Sequence, residues 1–120
     1  MVVATDAPLS DRNLDRLAAR ALVGLSRTGS AMANGSGDYV IAFSTHPTLR
    51  RRAGPARLTT SEIANDQMTG LFQAVAEATE EAIYNSLFMA TTASAKGGTV
   101  EAIPVGEVVR ILEAHGMLKR

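Results

Sequence analysis

The sequence contains no cysteine. Disulfides, thiolate zinc sites and a cysteine nucleophile are excluded, while the compartment stays open because many exported proteins also lack cysteine. It carries no net charge, since twelve basic residues balance twelve acidic ones. No overall field draws nucleic acid or an anionic membrane, and neither is expected as a partner. No apolar run approaches the length of a membrane-spanning helix, and no basic segment precedes an apolar one at the N-terminus. A soluble, cytoplasmic chain is expected, with an upstream targeting signal left open. The only histidines are His46 and His115. They are isolated and match no ligand spacing, so neither a metal site nor a cofactor is expected. There is no internal repeat and no low-complexity tract.

What remains is 120 residues, 46% hydrophobic and 20% charged, the composition of one globular domain spanning 1–120. Met1 to Thr5 is apolar and partly β-branched without alternation, which predicts a strand buried on both faces, inside a sheet that this chain does not complete alone. Ser10 stands where an N-cap belongs. Leu14, Leu17, Ala18, Ala21, Leu22 and Leu25 then follow helical spacing, and Gly29 is placed to end that helix in a left-handed conformation.

Tyr39 to Thr45 has strong β propensity. Residues 46 to 60 contain Pro47, Gly54 and Pro55 and read as a loop, in which Arg50, Arg51, Arg52 and Arg57 form a solvated basic cluster. A long helix is predicted from Ser61 to Thr92, with Leu71, Val75, Ala78, Ala82 and Met89 on its apolar face and Gly70 as a kink or boundary. Gly97-Gly98 breaks the chain, Thr99 to Ile103 fits a strand, and Pro104 opens a last helix that Gly116 ends. The expected order is β-α-β-α-β-α.

Two segments carry candidate chemistry. In Asn34-Gly35-Ser36-Gly37-Asp38 the two glycines around a serine allow close backbone approach to a ligand, and they equally suit an ordinary turn. Both readings stand on the motif alone. The Ser, His and Asp in this region have no spacing that establishes a hydrolase triad. Thr79, Glu80, Glu81 and Asn85 form a polar patch on the long helix, either a solvated face or a carboxylate directed into a site.

Taken together, V-V-A-T-D-A-P-L at residues 2 to 9, the L-x-R-L-A-x-R-A helix, N-G-S-G-D, I-A-F-S-T and A-T-E-E-A-I-x-N-S-L at residues 78 to 87 resemble the C-terminal chain of the L-aminopeptidase/D-esterase and β-aminopeptidase family. The resemblance covers nearly the whole chain. It implies an α+β fold, in which this β-α-β-α-β-α chain forms part of a four-layer αββα sandwich completed by a larger chain of the same precursor, in an oligomer of chain pairs. It also implies self-cleavage at a Gly-Ser bond and a nucleophilic serine whose own freed amine serves as base. That serine is expected just upstream of Met1, so the 120-residue chain alone is expected to be inactive.

By the same resemblance, Ser36 and Asp38 are catalytic. Ser36 bonds the reacting serine or its amine, and Asp38 holds an ammonium group. Asn34, Gly35, Gly37 and Glu81 are candidate substrate-binding positions. The implied activity is hydrolysis of N-terminal residues from peptides, amides or esters, with D-alanyl or β-amino substrates in range. A noncatalytic assembly fragment is one alternative. Acyl transfer, as in a related self-cleaving acetyltransferase group, is the other.

Overall fold

The N-terminal apolar run forms strand β1, Val2–Thr5, and after helix α1, Asp11–Arg27, the chain returns as β2, Ile41–Ser44, parallel to β1 with Val2 opposite Ile41 and Thr5 opposite Ser44. A parallel pair needs a crossover, and α1 provides it. The computed structural model describes residues 1–51, 53, 54, 57 and 59–118. The chain divides into two compact units, Met1–Glu81 and Ala82–Arg120.

In the first unit, α1 starts and ends where its sequence signals lie. Ser10 occupies the N-cap position, although its hydroxyl makes no capping bond. Gly29 has φ +93° and its N–H bonds the Ser26 carbonyl. The turn after β1 is closed by Thr5 Oγ1, which accepts from Ala7 N, and by Ser44 Oγ, which donates to the Ala7 carbonyl at 2.6 Å.

The long helix α2 spans Met68–Phe88, shorter than 61–92. A 3-10 turn at Asn65–Gln67 precedes it, and Gly70 lies inside its first turns rather than at a boundary. Residues 61 to 64 are not helical, and Ile63 N instead bonds the Pro8 carbonyl.

The buried side of α2 also differs from the predicted stripe. Met68, Val75, Ala76 and Thr79 are buried, whereas Ala78 and Ala82 are exposed and Met89 is 81% exposed. The reason lies on α1. Gly24 is buried there, and a Cβ at that position would stand 2.4 Å from the Ala76 carbonyl oxygen and 2.7 Å from Thr79 Cβ. The missing side chain lets the two helices approach along the Ala76–Thr79 side. Arg16 and Arg20 extend the contact by lying over Phe72, at 5.0 and 4.6 Å from its ring centroid. Leu9, Leu17, Ala21, Met68 and Val75 form the core.

The helices cover one face of the two-stranded sheet. Val3, Thr5, Ala42 and Ser44 are half-buried, while Val2, Ala4, Ile41 and Phe43 on the other face are exposed. Within this chain the run expected to be buried on both faces is therefore covered on one. Among the described residues of the loop that follows, Pro47–Leu49 make a 3-10 turn that His46 caps through Nδ1. Arg50, Arg51 and Arg57 are exposed, and Arg52 lies outside the described residues.

The second unit begins within α2 and holds β3, Ala93–Ala95, β4, Gly98–Val100, and α3, Val105–Ala114. The strands form an antiparallel hairpin with Ala95 opposite Gly98, so Lys96-Gly97 is its two-residue turn. This corrects the expected strand at 99–103 and makes the order β-α-β-α-β-β-α. Ala-Ser-Ala has little strand propensity of its own. It becomes a strand because the turn folds it onto Gly98–Val100, where Ser94 Oγ and Thr99 Oγ1 meet at 2.8 Å. Helix α3 ends at Gly116, φ +67°, with Met117 N bonded to the Leu112 carbonyl. Among the described residues no helix is long and apolar enough to cross a membrane.

Candidate active site

Parallel pairing brings the N-terminal ends of β1 and β2 to the same end of the sheet. The segment leading into β2 is Asn34–Asp38, so the start of β1 and the N-G-S-G-D loop are neighbours although more than thirty positions separate them in sequence. Two bonds tie the start of β1 to the residues that directly follow the loop. The Met1 amine donates to the Tyr39 carbonyl at 2.6 Å, and Ile41 N donates to the Met1 carbonyl at 3.0 Å.

The loop has a defined conformation. Ser36 N bonds the Ala33 carbonyl at 2.9 Å, and Gly35 takes φ +95°, where a Cβ would be strained. Upstream, Met32 is the one non-glycine among the described residues with positive φ, +45°, and its N–H bonds Ser30 Oγ. The turn therefore has a fixed backbone conformation around Ser36.

Ser36 Oγ donates to Asp38 Oδ2 at 2.6 Å. Ser36 is exposed and Asp38 half-buried. This bond fixes the hydroxyl proton on the carboxylate side and leaves the oxygen lone pairs free to accept. A hydroxyl or ammonium group at the start of β1 could then donate to Ser36, with Asp38 stabilising the positive charge behind it. No third residue is needed to orient the pair.

Asn34, Gly35 and Gly37 lie in the same exposed loop. Glu81 lies near the middle of α2. It sits on the side of α2 away from Val75 and Thr79, exposed, and no side-chain hydrogen bond or ion pair among the described residues involves it, whereas its neighbour Glu80 reaches Arg27 at 3.6 Å. Among the described residues no cluster of three or more His, Asp or Glu could hold a metal ion.

Tyr39 opens the segment of strong β propensity that leads into β2. Its ring lies against Gly37, where a Cβ would stand 3.2 Å from Tyr39 Cε2. In sequence it follows Asp38 directly and shares the alternation of Ile41 and Phe43, so its side chain leaves the segment on the side opposite to that of Asp38.

The chain matches the model of peptidase family S58 over residues 1–101. It is 40% identical over 119 residues to the beta-peptidyl aminopeptidase BapA of Sphingosinicella microcystinivorans, covering 98% of this chain and 30% of that protein. Two solved structures resemble its fold over 98% of its length. The PH0078 protein from Pyrococcus horikoshii OT3 has a TM-score of 0.87 and 42% identity, with 33% of that chain covered. The L-aminopeptidase D-Ala-esterase/amidase from Ochrobactrum anthropi, described as a new variant among the Ntn hydrolase fold, has a TM-score of 0.86 and 31% identity, with 34% of that chain covered. The chain thus spans about a third of the length of each of these proteins, and both its sequence and its fold show that it belongs to peptidase family S58.

Proposed function

We propose that this chain is the C-terminal, site-bearing part of a serine aminopeptidase that cleaves its own precursor and then hydrolyses N-terminal residues from peptides, amides or esters. The observation that carries the reading is the parallel register of β1 and β2, together with the Ser36–Asp38 bond at 2.6 Å beside the start of β1. A nucleophilic serine a short way upstream of β1 would enter the sheet end that already holds this pair. Its own amine, freed by cleavage of the precursor, would take the hydroxyl proton. Ser36 accepts a hydrogen bond from that serine or its amine, and Asp38 holds the substrate ammonium through a charge-assisted bond. Asn34 and the backbone around Gly35 and Gly37 line the approach.

The relatives named beta-peptidyl aminopeptidase and L-aminopeptidase D-Ala-esterase/amidase support this class of substrate. The exposed sheet face of Val2, Ile41 and Phe43 supports a larger companion chain that closes a second layer over it. An assembly of such chain pairs is part of the proposal.

The test uses the self-processed full-length protein and a chromogenic aminoacyl anilide. Ser36→Ala is expected to lower kcat about 10²- to 10⁴-fold, the usual contribution of a positioned acid–base group. Asp38→Asn keeps the shape but loses the charge, and should chiefly raise KM. Thermal melts of both should match the parent. Unchanged kinetics in both variants would return the loop to an ordinary turn, and activity lost together with stability would make its role structural.

A further inference from the structure

Strand β1 is paired on one side only. The Met1 carbonyl accepts from Ile41 N and the Thr5 carbonyl from Thr45 N, so Met1, Val3 and Thr5 turn their backbone groups toward β2. Val2 and Ala4 alternate with them and turn their N–H and C=O groups to the opposite edge. Among the described residues no strand pairs there. A groove of about 170 Å³ runs along this edge, bounded by Val3, Ala4 and Thr5 on β1 and by Leu71, Ala74 and Ala78 on α2. No residue of β2 lines it, which places it on the free side of β1, and none of the described residues that line it is charged. Leu71, Val75 and Ala78 belong to the apolar face expected of this helix from its sequence, and the groove is where that face is left without a cover. Ala74 and Ala78 are exposed. Their small side chains leave space that close packing fills with side chains from another element.

We infer that a strand of the larger companion chain adds to the free edge of β1, bonding Val2 and Ala4 through its backbone and laying alternate apolar side chains over Leu71, Ala74 and Ala78. The inference rests on the companion chain of the function proposed above and gives that chain a second contact. Its first contact, the sheet face of Val2, Ile41 and Phe43, ends at this same edge. With 33% and 34% of the two solved relatives covered, about two thirds of each lies outside the match, so length for both contacts exists in such proteins. The bond from Ile41 N already fixes the start of β1 on one side. A strand on the other side holds it there too, so the serine upstream of β1 enters the site from a strand braced at both edges.

The experiment uses the self-processed full-length protein, in which this chain has no cysteine of its own. Ala74→Cys and Ala78→Cys should resist a maleimide until the protein is unfolded, with alkylation read on this chain by mass spectrometry. Glu77→Cys, at an exposed position of α2 that does not line the groove, should react at once. Amide hydrogen exchange should find Val2 and Ala4 as protected as Val3 and Thr5, since all four are then hydrogen-bonded. In Ala78→Met, with a diazirine-bearing methionine analogue at that position, irradiation should join residue 78 to a peptide of the larger chain. Rapid alkylation at residues 74 and 78 would overturn the inference by showing the groove open. Fast exchange confined to Val2 and Ala4 would overturn it by showing that whatever covers the groove is no strand. A crosslink to a second copy of this chain would overturn it in favour of pairing between copies. In each of these cases a protein that still cleaves itself and turns over the aminoacyl anilide keeps the function proposed above, whereas a parent that does neither removes that reading and the added strand with it.

Discussion

Gly35 and Gly37 flank the same serine for different physical reasons. Gly35 has φ +95° with nothing within 4 Å of where its Cβ would be, so only the backbone penalises a side chain there. Gly35→Ala is expected to cost about 1–2 kcal/mol, the left-handed penalty for an L-residue, and Gly35→Asn less, because Asn tolerates that region. Gly37 has no such backbone demand, but a Cβ would stand 3.2 Å from the Tyr39 ring, a neighbour that can swing away. Gly37→Ala should leave the denaturation midpoint nearly unchanged while raising KM. Denaturant melts beside steady-state kinetics separate the two positions. A stability loss confined to Gly37→Ala would reverse this account.

At the scale of elements, the packing of α1 on α2 turns on Gly24. An alanine there would gain up to about 1 kcal/mol of helix propensity, but its Cβ would meet the Ala76 carbonyl oxygen at 2.4 Å. A backbone carbonyl inside a helix yields only if the helix moves, and such overpacking costs about 1–3 kcal/mol. Gly24→Ala is therefore expected to lower stability. Gly70, in the first turns of α2, has nothing within 4 Å of its Cβ position. There the propensity term acts alone, and Gly70→Ala should raise stability by a few tenths to about 1 kcal/mol. The same two-letter change with opposite signs, read from equilibrium denaturation, checks the close approach of the helices.

In the first unit the β1–β2 sheet has an exposed apolar face. Val2 and Ile41 are 71% and 67% exposed on the sheet face away from α1, and no described residue of the second unit is buried. Apolar surface of this kind is normally covered by a partner, and a sheet of two strands leaves unpaired edges that invite association. The isolated 120-residue chain is expected to associate with rising concentration and to hydrolyse no aminoacyl anilide. Light scattering behind gel filtration measures the first and a chromogenic assay the second. A monodisperse, cooperatively unfolding monomer would contradict the first, and turnover would contradict the second.

The sequence by itself determined what short-range chemistry controls. The left-handed glycine at residue 29 marked the end of α1, β-branched and aromatic residues marked β2, and the joint order of motifs marked the family and the pair Ser36 and Asp38. Tertiary structure decided the rest. The apolar period of α2 does not say which flank a neighbour will press, and the gap at Gly24 turned the Ala76–Thr79 side inward while Ala78 and Ala82 stayed exposed. Strand β3 exists only because the Lys96-Gly97 turn returns it to a partner. Tyr39 acquired its place from the parallel register, which joins its carbonyl to Met1 across 38 positions. Periodicity and turn signals act over a few residues, whereas register and helix contact are settled by packing between segments far apart in the chain, where no local pattern records the partner.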